Sequence, residues 1–142
     1  YTCVILDLFS RRVVAHKVSR KNSTQLITST FKAAWEQRAP DAGLIFTVIE
    51  GTNTPHIGSD NYFMARSGAI FLQFGETHDN AVAESFFATL KKEDLYWKGY
   101  TSEAAFKRGL ASYIEFYNTQ RPHRTLKNLT PNQVEDAFIS DK

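Results

Sequence analysis

Glu84 is the residue of this chain best placed to do chemistry. It lies within Asp79–Glu93, DNAVAESFFATLKKE. Asn80 precedes it by four residues and Lys91 follows it by seven, so on a helix the three share one face. An acid, an amide and a base side by side suit a metal ion and a phosphate backbone. The same pattern also describes an ordinary solvated helix face. A second group is Arg121, His123 and Arg124, within YNTQRPHRTL (Tyr117 to Leu126). These cations could meet phosphates, or they could fix a helix exit against the core.

The elements that must position these residues follow from periodicity. Val82, Phe86 and Leu90 recur every four residues, with Ala83 and Phe87 widening the stripe, and Glu84 lies off it. This predicts an amphipathic helix over about 80–94, capped by Asp79. Tyr1 to Leu8 and Arg12 to Val18 are β-type runs separated only by Phe9-Ser10-Arg11, which predicts a hairpin. Asp7 closes the first run as a turn or cap residue. Asn22 to Arg38 reads as a helix capped by Asn22 or Ser23, with Leu26, Ile27, Thr30, Phe31, Ala34 and Trp35 inward. Pro40 and Gly43 stop it.

Leu44 to Ile49 and Ala69 to Phe74 read as strands, and Ser59 to Arg66 as a short helix with a weak stripe. Tyr96 to Tyr100 reads as a loop with aromatic anchors. Thr101 or Ser102 caps a helix running to about Asn118, with Phe106, Leu110, Tyr113, Ile114 and Tyr117 buried. Thr130 and Pro131 open a final short helix anchored by Val134 and Phe138. Strands alternating with helices predict an α/β fold with helices packed on a central sheet.

DNAVAESFFATLKKE, then YNTQRPHRTL, then LTP (Leu129 to Pro131) resembles the C-terminal half of insertion-sequence transposases with a retroviral-integrase-like core. DLFSRRVVAH (Asp7 to His16) is similar to the early part of that core. Together the motifs cover about 1–46 and 75–138.

The resemblance implies a ribonuclease-H-like mixed sheet flanked by helices, with 1–142 as the catalytic core and 127–142 as a tail helix of the same domain. It implies an enzyme that cuts and joins DNA with two Mg²⁺ or Mn²⁺ ions held by three acids. Glu84 takes the place of the last acid, as catalytic residue and metal ligand. Asn80, Lys91, Arg121 and Arg124 are the expected nucleic-acid contacts. Transposon ends and target DNA are the expected partners, with self-assembly into a homo-oligomer. The strand bearing the first acid would lie before Tyr1, so the core is expected to lack it.

The second acid is missing from the text. After LIF, the family has something like HSDRGxQYTS, where this chain has Thr47-Val48-Ile49-Glu50-Gly51-Thr52-Asn53-Thr54-Pro55-His56. Back-translation from the third base of Phe46 permits His, Ser, Asp, Arg, Gly, one variable residue, then Gln, Tyr, Thr and Ser. Thr47 to about Phe74 therefore reads as an out-of-frame segment, with a divergent loop as the competing account. With Glu84 alone of the triad, the expectation is an integrase core that is catalytically inactive as written, with no ion of its own. The alternatives are a non-catalytic DNA-binding or subunit-interaction module, and a metal nuclease rebuilt around Asp60 or Asp79 with Glu84.

Composition sets the outer bounds. The 142 residues, 42% of them hydrophobic, suit one domain. A net charge of +2 permits nucleic-acid binding without arguing for it. Cys3 alone excludes an internal disulfide and a cysteine-rich zinc site, and the four His show no ligand spacing. No leader or apolar run long enough to cross a membrane stands out, so a cytoplasmic location is expected.

Overall fold

A computed structural model describes residues 1–40 and 81–141 in full, and the backbone alone of strands within 45–74 and of the helical residues 77–80. The chain divides into two compact units. Tyr1–Ile5 with Val14–Ala83 form one, and Leu6–Val13 with Glu84–Lys142 form the other.

Strand β1 (Thr2–Leu6) pairs with β2 (Val13–Val18). The Asp7 N–H reaches the Arg12 carbonyl at 2.8 Å and the Ser19 N–H reaches the Tyr1 carbonyl at 2.9 Å, so the pair is an antiparallel hairpin. Asp7 makes the turn: its Oδ1 accepts the N–H groups of Phe9 and Ser10, each at 2.9 Å. The strand therefore ends at Leu6 rather than Leu8, because the Asp7 side chain offers the backbone a competing set of bonds.

Helix α1 (Thr24–Arg38) is capped by Ser23, whose Oγ accepts the Leu26 N–H. Leu26, Thr30, Phe31 and Ala34 are buried, while Ile27 and Trp35 are half-buried. Val14 and Ala15 of β2 pack with Ala34, and Ile5 and Ala33 border them. The helix ends where Ala39 turns left-handed (φ 40°) and returns its N–H to the Trp35 carbonyl. Pro40 follows and disfavours further helix.

Strand β3 (Ile45–Val48) lies parallel to β6 (Phe71–Phe74), with Ile45 opposite Phe71 and Val48 opposite Phe74. Between them β4 (Met64–Ala65) and β5 (Gly68–Ala69) form a short antiparallel pair. The end of the helix expected over 59–66 is thus strand; the rest of it falls outside the described residues. The one central sheet expected from the strand pattern is also not seen. Among the described residues the strands pair as three separate ladders, and none joins β1–β2 to β3–β6. Apolar β-branched runs mark which segments are extended, but pairing is decided by contacts far apart in the chain.

The second unit is helical. Helix α2 (Thr77–Leu90) starts before Asp79, which lies in its first turn rather than at its cap. It continues through a π turn, Lys91–Leu95, into α3 (Tyr96–Lys98), and Gly99 closes the run at φ 41°. The segment expected as a loop is thus a further helical turn. Helix α4 (Glu103–Thr119) is capped by Ser102, and α5 (Pro131–Ser140) opens on a capping box of Thr130 and Gln133.

Phe86 and Leu90 are buried, with the Phe86 ring edge-on to Tyr117 at 5.0 Å. Gly109 of α4 faces the Tyr100 ring so closely that a Cβ there would overlap it. Phe138 is not the buried anchor the sequence suggested. It is 49% exposed and stacks with exposed Phe9, while Pro131 and Glu135 are the residues α5 buries.

Candidate functional site

Glu84 is exposed on α2, off the buried stripe of Phe86 and Leu90. It has no hydrogen-bond or ion-pair partner among the described residues, and none of their His, Cys, Asp and Glu side chains form a group of three that could hold a metal. Lys91, at the first position of the π turn, is also exposed. The Asn80 side chain lies outside the described residues, as do those of Glu50, Asp60 and Asp79. One exposed carboxylate does not fit the demand of two hard cations for several oxygen ligands. The described residues therefore do not assemble the acidic site by themselves.

The carboxylates that follow Glu84 in the same helical run have a different setting. Glu93 receives the Arg121 Nε at 2.9 Å and Nη2 at 2.8 Å, and the Tyr113 hydroxyl at 2.9 Å. This fork-on-fork contact with Arg121 holds the Glu93 carboxyl below its ordinary range, with burial opposing and Tyr113 assisting. The guanidinium also stands 5.9 Å from the centre of the Tyr117 ring. Asp94 is 1% exposed, accepts the Tyr100 hydroxyl at 2.6 Å and pairs with Lys98 at 2.6 Å. A π turn adds a residue to the helical circuit; here Glu93 and Asp94, adjacent in sequence, each find partners from α4 or beyond its ends.

The RPHR motif closes on itself. His123 is buried, edge-on to Tyr117 at 4.5 Å, and bridges to Leu129 through its backbone N–H at 3.0 Å. Burial lowers its pKa from the usual value. Arg124 is exposed at the start of a 3₁₀ turn, Arg124–Leu126. Of the three candidate phosphate contacts here, Arg124 is therefore the one turned to solvent. Arg121 and His123 have the geometry of a helix exit held against the core.

Sequence reasoning missed two buried polar groups. The Asn118 amide pairs with both the N–H and carbonyl of Val13, each at 3.0 Å, as a neighbouring strand would. Glu135 accepts the Ser10 hydroxyl at 2.8 Å and Arg12 Nη1 at 2.6 Å. A signal existed: Asn118 follows Ile114, and Glu135 follows Pro131, by one helical repeat, so each falls on an inward face.

Comparison with known proteins follows this geometry. Residues 68–131 match the integrase core domain family. The chain is 30% identical over 139 residues to the transposase for insertion sequence element IS904 of Lactococcus lactis subsp. lactis (strain IL1403), covering 95% of this chain and 54% of that protein. It is 28% identical over 146 residues to transposase InsF for insertion sequence IS3A of Escherichia coli (strain K12), covering 99% of this chain and 49% of that protein. The chain thus spans about half the length of the curated relatives it matches. No solved structure matches it. Among the described residues no helix is long and apolar enough to cross a membrane.

Proposed function

Because the chain is an insertion-sequence transposase relative with an integrase-like core, we propose that it serves DNA integration as a ribonuclease-H-like core spanning 1–142, with 127–142 as its tail. The observation that carries this reading is the integrase core match across 68–131, which includes Glu84, Lys91, Arg121 and Arg124. DNA is the partner, as transposon ends and target, and the intact family assembles as homo-oligomers. Action on bacterial DNA would place the protein in the cytoplasm.

In this reading Glu84 is the last of three metal-binding acids. Its exposure leaves the carboxylate open to a ligand. Mg²⁺ or Mn²⁺ held by such a triad, with Glu84 as one ligand, would supply activation of the attacking oxygen and stabilisation of the leaving one. With the first two acids not identified in this chain, no step is assigned here through the ions. What the residues present can do is bind phosphates: Lys91 and Arg124 are exposed cations, and Asn80 stands one helical turn before Glu84. The chain as written is therefore a DNA-binding core without strand-transfer activity.

The test is incubation of the purified chain with supercoiled plasmid and Mg²⁺ or Mn²⁺. No nicking or joining is expected, and Glu84→Gln should leave that result unchanged. Metal-dependent cleavage that disappears in Glu84→Gln overturns the inactivity and points to Glu50, Asp60 or Asp79 as replacement ligands. The coding DNA provides a separate check on 47–74. A G at the third base of the Val48 codon is required for an out-of-frame Asp there, and any other base sinks the frameshift account in favour of a divergent loop.

A further inference from the structure

Two consecutive aromatic side chains stand in water on α3, directly after the π turn: Tyr96 is 73% exposed and Trp97 is 82% exposed. Scattered exposed apolar residues are common and carry no message. Trp97 differs because it is fixed. Its Nε1–H donates to the Lys92 carbonyl at 2.7 Å, five residues back. The indole is held in one place with most of its surface uncovered, so a flat ligand would not have to order it on binding.

The charges around it are sorted by sign. Between Lys91 and Lys98 there are two carboxylates, Glu93 and Asp94. Glu93 is balanced by the Arg121 fork and Asp94 by Lys98 and the Tyr100 hydroxyl. Lys91 and Lys92 are exposed and have no carboxylate partner among the described residues. The indole is bonded to the backbone of Lys92 itself. Among the described residues, the surface beside the ring therefore carries positive charge with no carboxylate paired to it, complementary to a polyanion.

An aromatic face flanked by exposed lysines is the pairing that binds unpaired nucleotides, in which a base stacks on the ring and the backbone follows the cations. In an intact duplex the base faces are already stacked and only their edges are open. We infer that Trp97, with Tyr96 beside it and Lys91 and Lys92 supplying phosphate contacts, is a stacking platform for an unpaired base of a nucleic-acid strand. The inference rests on the DNA-binding reading above and adds to it a strand preference and the residue that sets it.

Fluorescence anisotropy of a labelled oligothymidylate, and of a blunt duplex of the same length, tests the platform on the wild-type chain and on Trp97→Ala and Trp97→Phe. Tryptophan emission is followed in the same titrations. Oligothymidylate should quench emission in the wild type and much less in Trp97→Phe. Trp97→Ala should weaken oligothymidylate binding about 5- to 100-fold, the range set by stacking one base on an aromatic ring, and leave the duplex within about twofold. Trp97→Phe should recover part of the loss, since it keeps a ring. Tight binding of both DNAs with no effect of Trp97→Ala overturns the platform and leaves the DNA-binding reading intact. Failure of the wild type to bind either DNA overturns both. A change in sedimentation on Trp97→Ala, with DNA binding unchanged, assigns the ring to a protein contact instead and also overturns the inference.

Discussion

Glu84 and Glu93 lie on one helical run and have the same side chain, yet the molecule uses them in opposite ways. Glu84 is exposed, with no partner among the described residues. Glu93 accepts three bonds from Arg121 and one from Tyr113. A carboxylate that is fully hydrogen-bonded stabilises a fold and has little left to offer a ligand. One left open adds almost nothing to stability and can be spent on binding. Glu84 lies in regular α-helix, whereas Glu93 lies within the π turn, Lys91–Leu95.

The comparison can be broken at several points. The largest effect is expected from Phe86→Ala, between the two glutamates. Phe86 is 1% exposed against Tyr117, and truncation should cost about 3–5 kcal/mol in urea unfolding. A loss below about 1 kcal/mol would mean that α2 is not seated on α4 as described.

Glu93→Gln should come next, at about 1–2 kcal/mol, since it keeps the shape but weakens the Arg121 fork in a partly exposed setting. In a double-mutant cycle, Arg121→Gln should be strongly non-additive with it, and additivity within about 0.3 kcal/mol would refute the pairing.

The pH dependence is the third test. His123 and Glu93 both have pKa values lowered by folding, from ordinary values of 6.5 and 4.5. A lowered folded value means the unfolded chain binds the proton more readily, so stability is full above about pH 6.5 and falls as the solution is acidified. His123 contributes the first part of the loss, and Glu93 the part below pH 4.5, which Glu93→Gln should remove. At the other end, burial pushes the Tyr117 hydroxyl up to about 12, so alkaline loss should begin above its ordinary value of 10.0. A flat profile between pH 7 and 4 would contradict these assignments.

The smallest effect belongs to Glu84→Gln, which should move stability by no more than about 0.5 kcal/mol. A larger loss, read in the same urea titration, would show that Glu84 has a structural partner and end the contrast with Glu93.

The sequence by itself determined much of the local structure, though not the helical turn at Tyr96–Lys98 or the strand at Met64–Ala65. Four-residue stripes marked the faces of α1, α2 and α4, and Asn22 or Ser23, Thr101 or Ser102, and Thr130 announced three helix starts; the hydroxyls of Ser23, Ser102 and Thr130 are the ones that accept the N–H three residues on. Asp7 was legible as a turn residue for the same reason, since its partners are Phe9 and Ser10. These signals act within a few residues, so the order of residues contains them. The integrase resemblance was likewise carried by contiguous motifs. Only the tertiary structure decided that Arg121 belongs to Glu93, that Asn118 replaces a strand beside Val13, and that Glu135 holds the hairpin turn through Ser10 and Arg12. Periodicity placed those side chains on a face without naming a partner. A buried polar group is stable only when a complementary group arrives opposite it, and for Asn118 that group comes from 105 residues away.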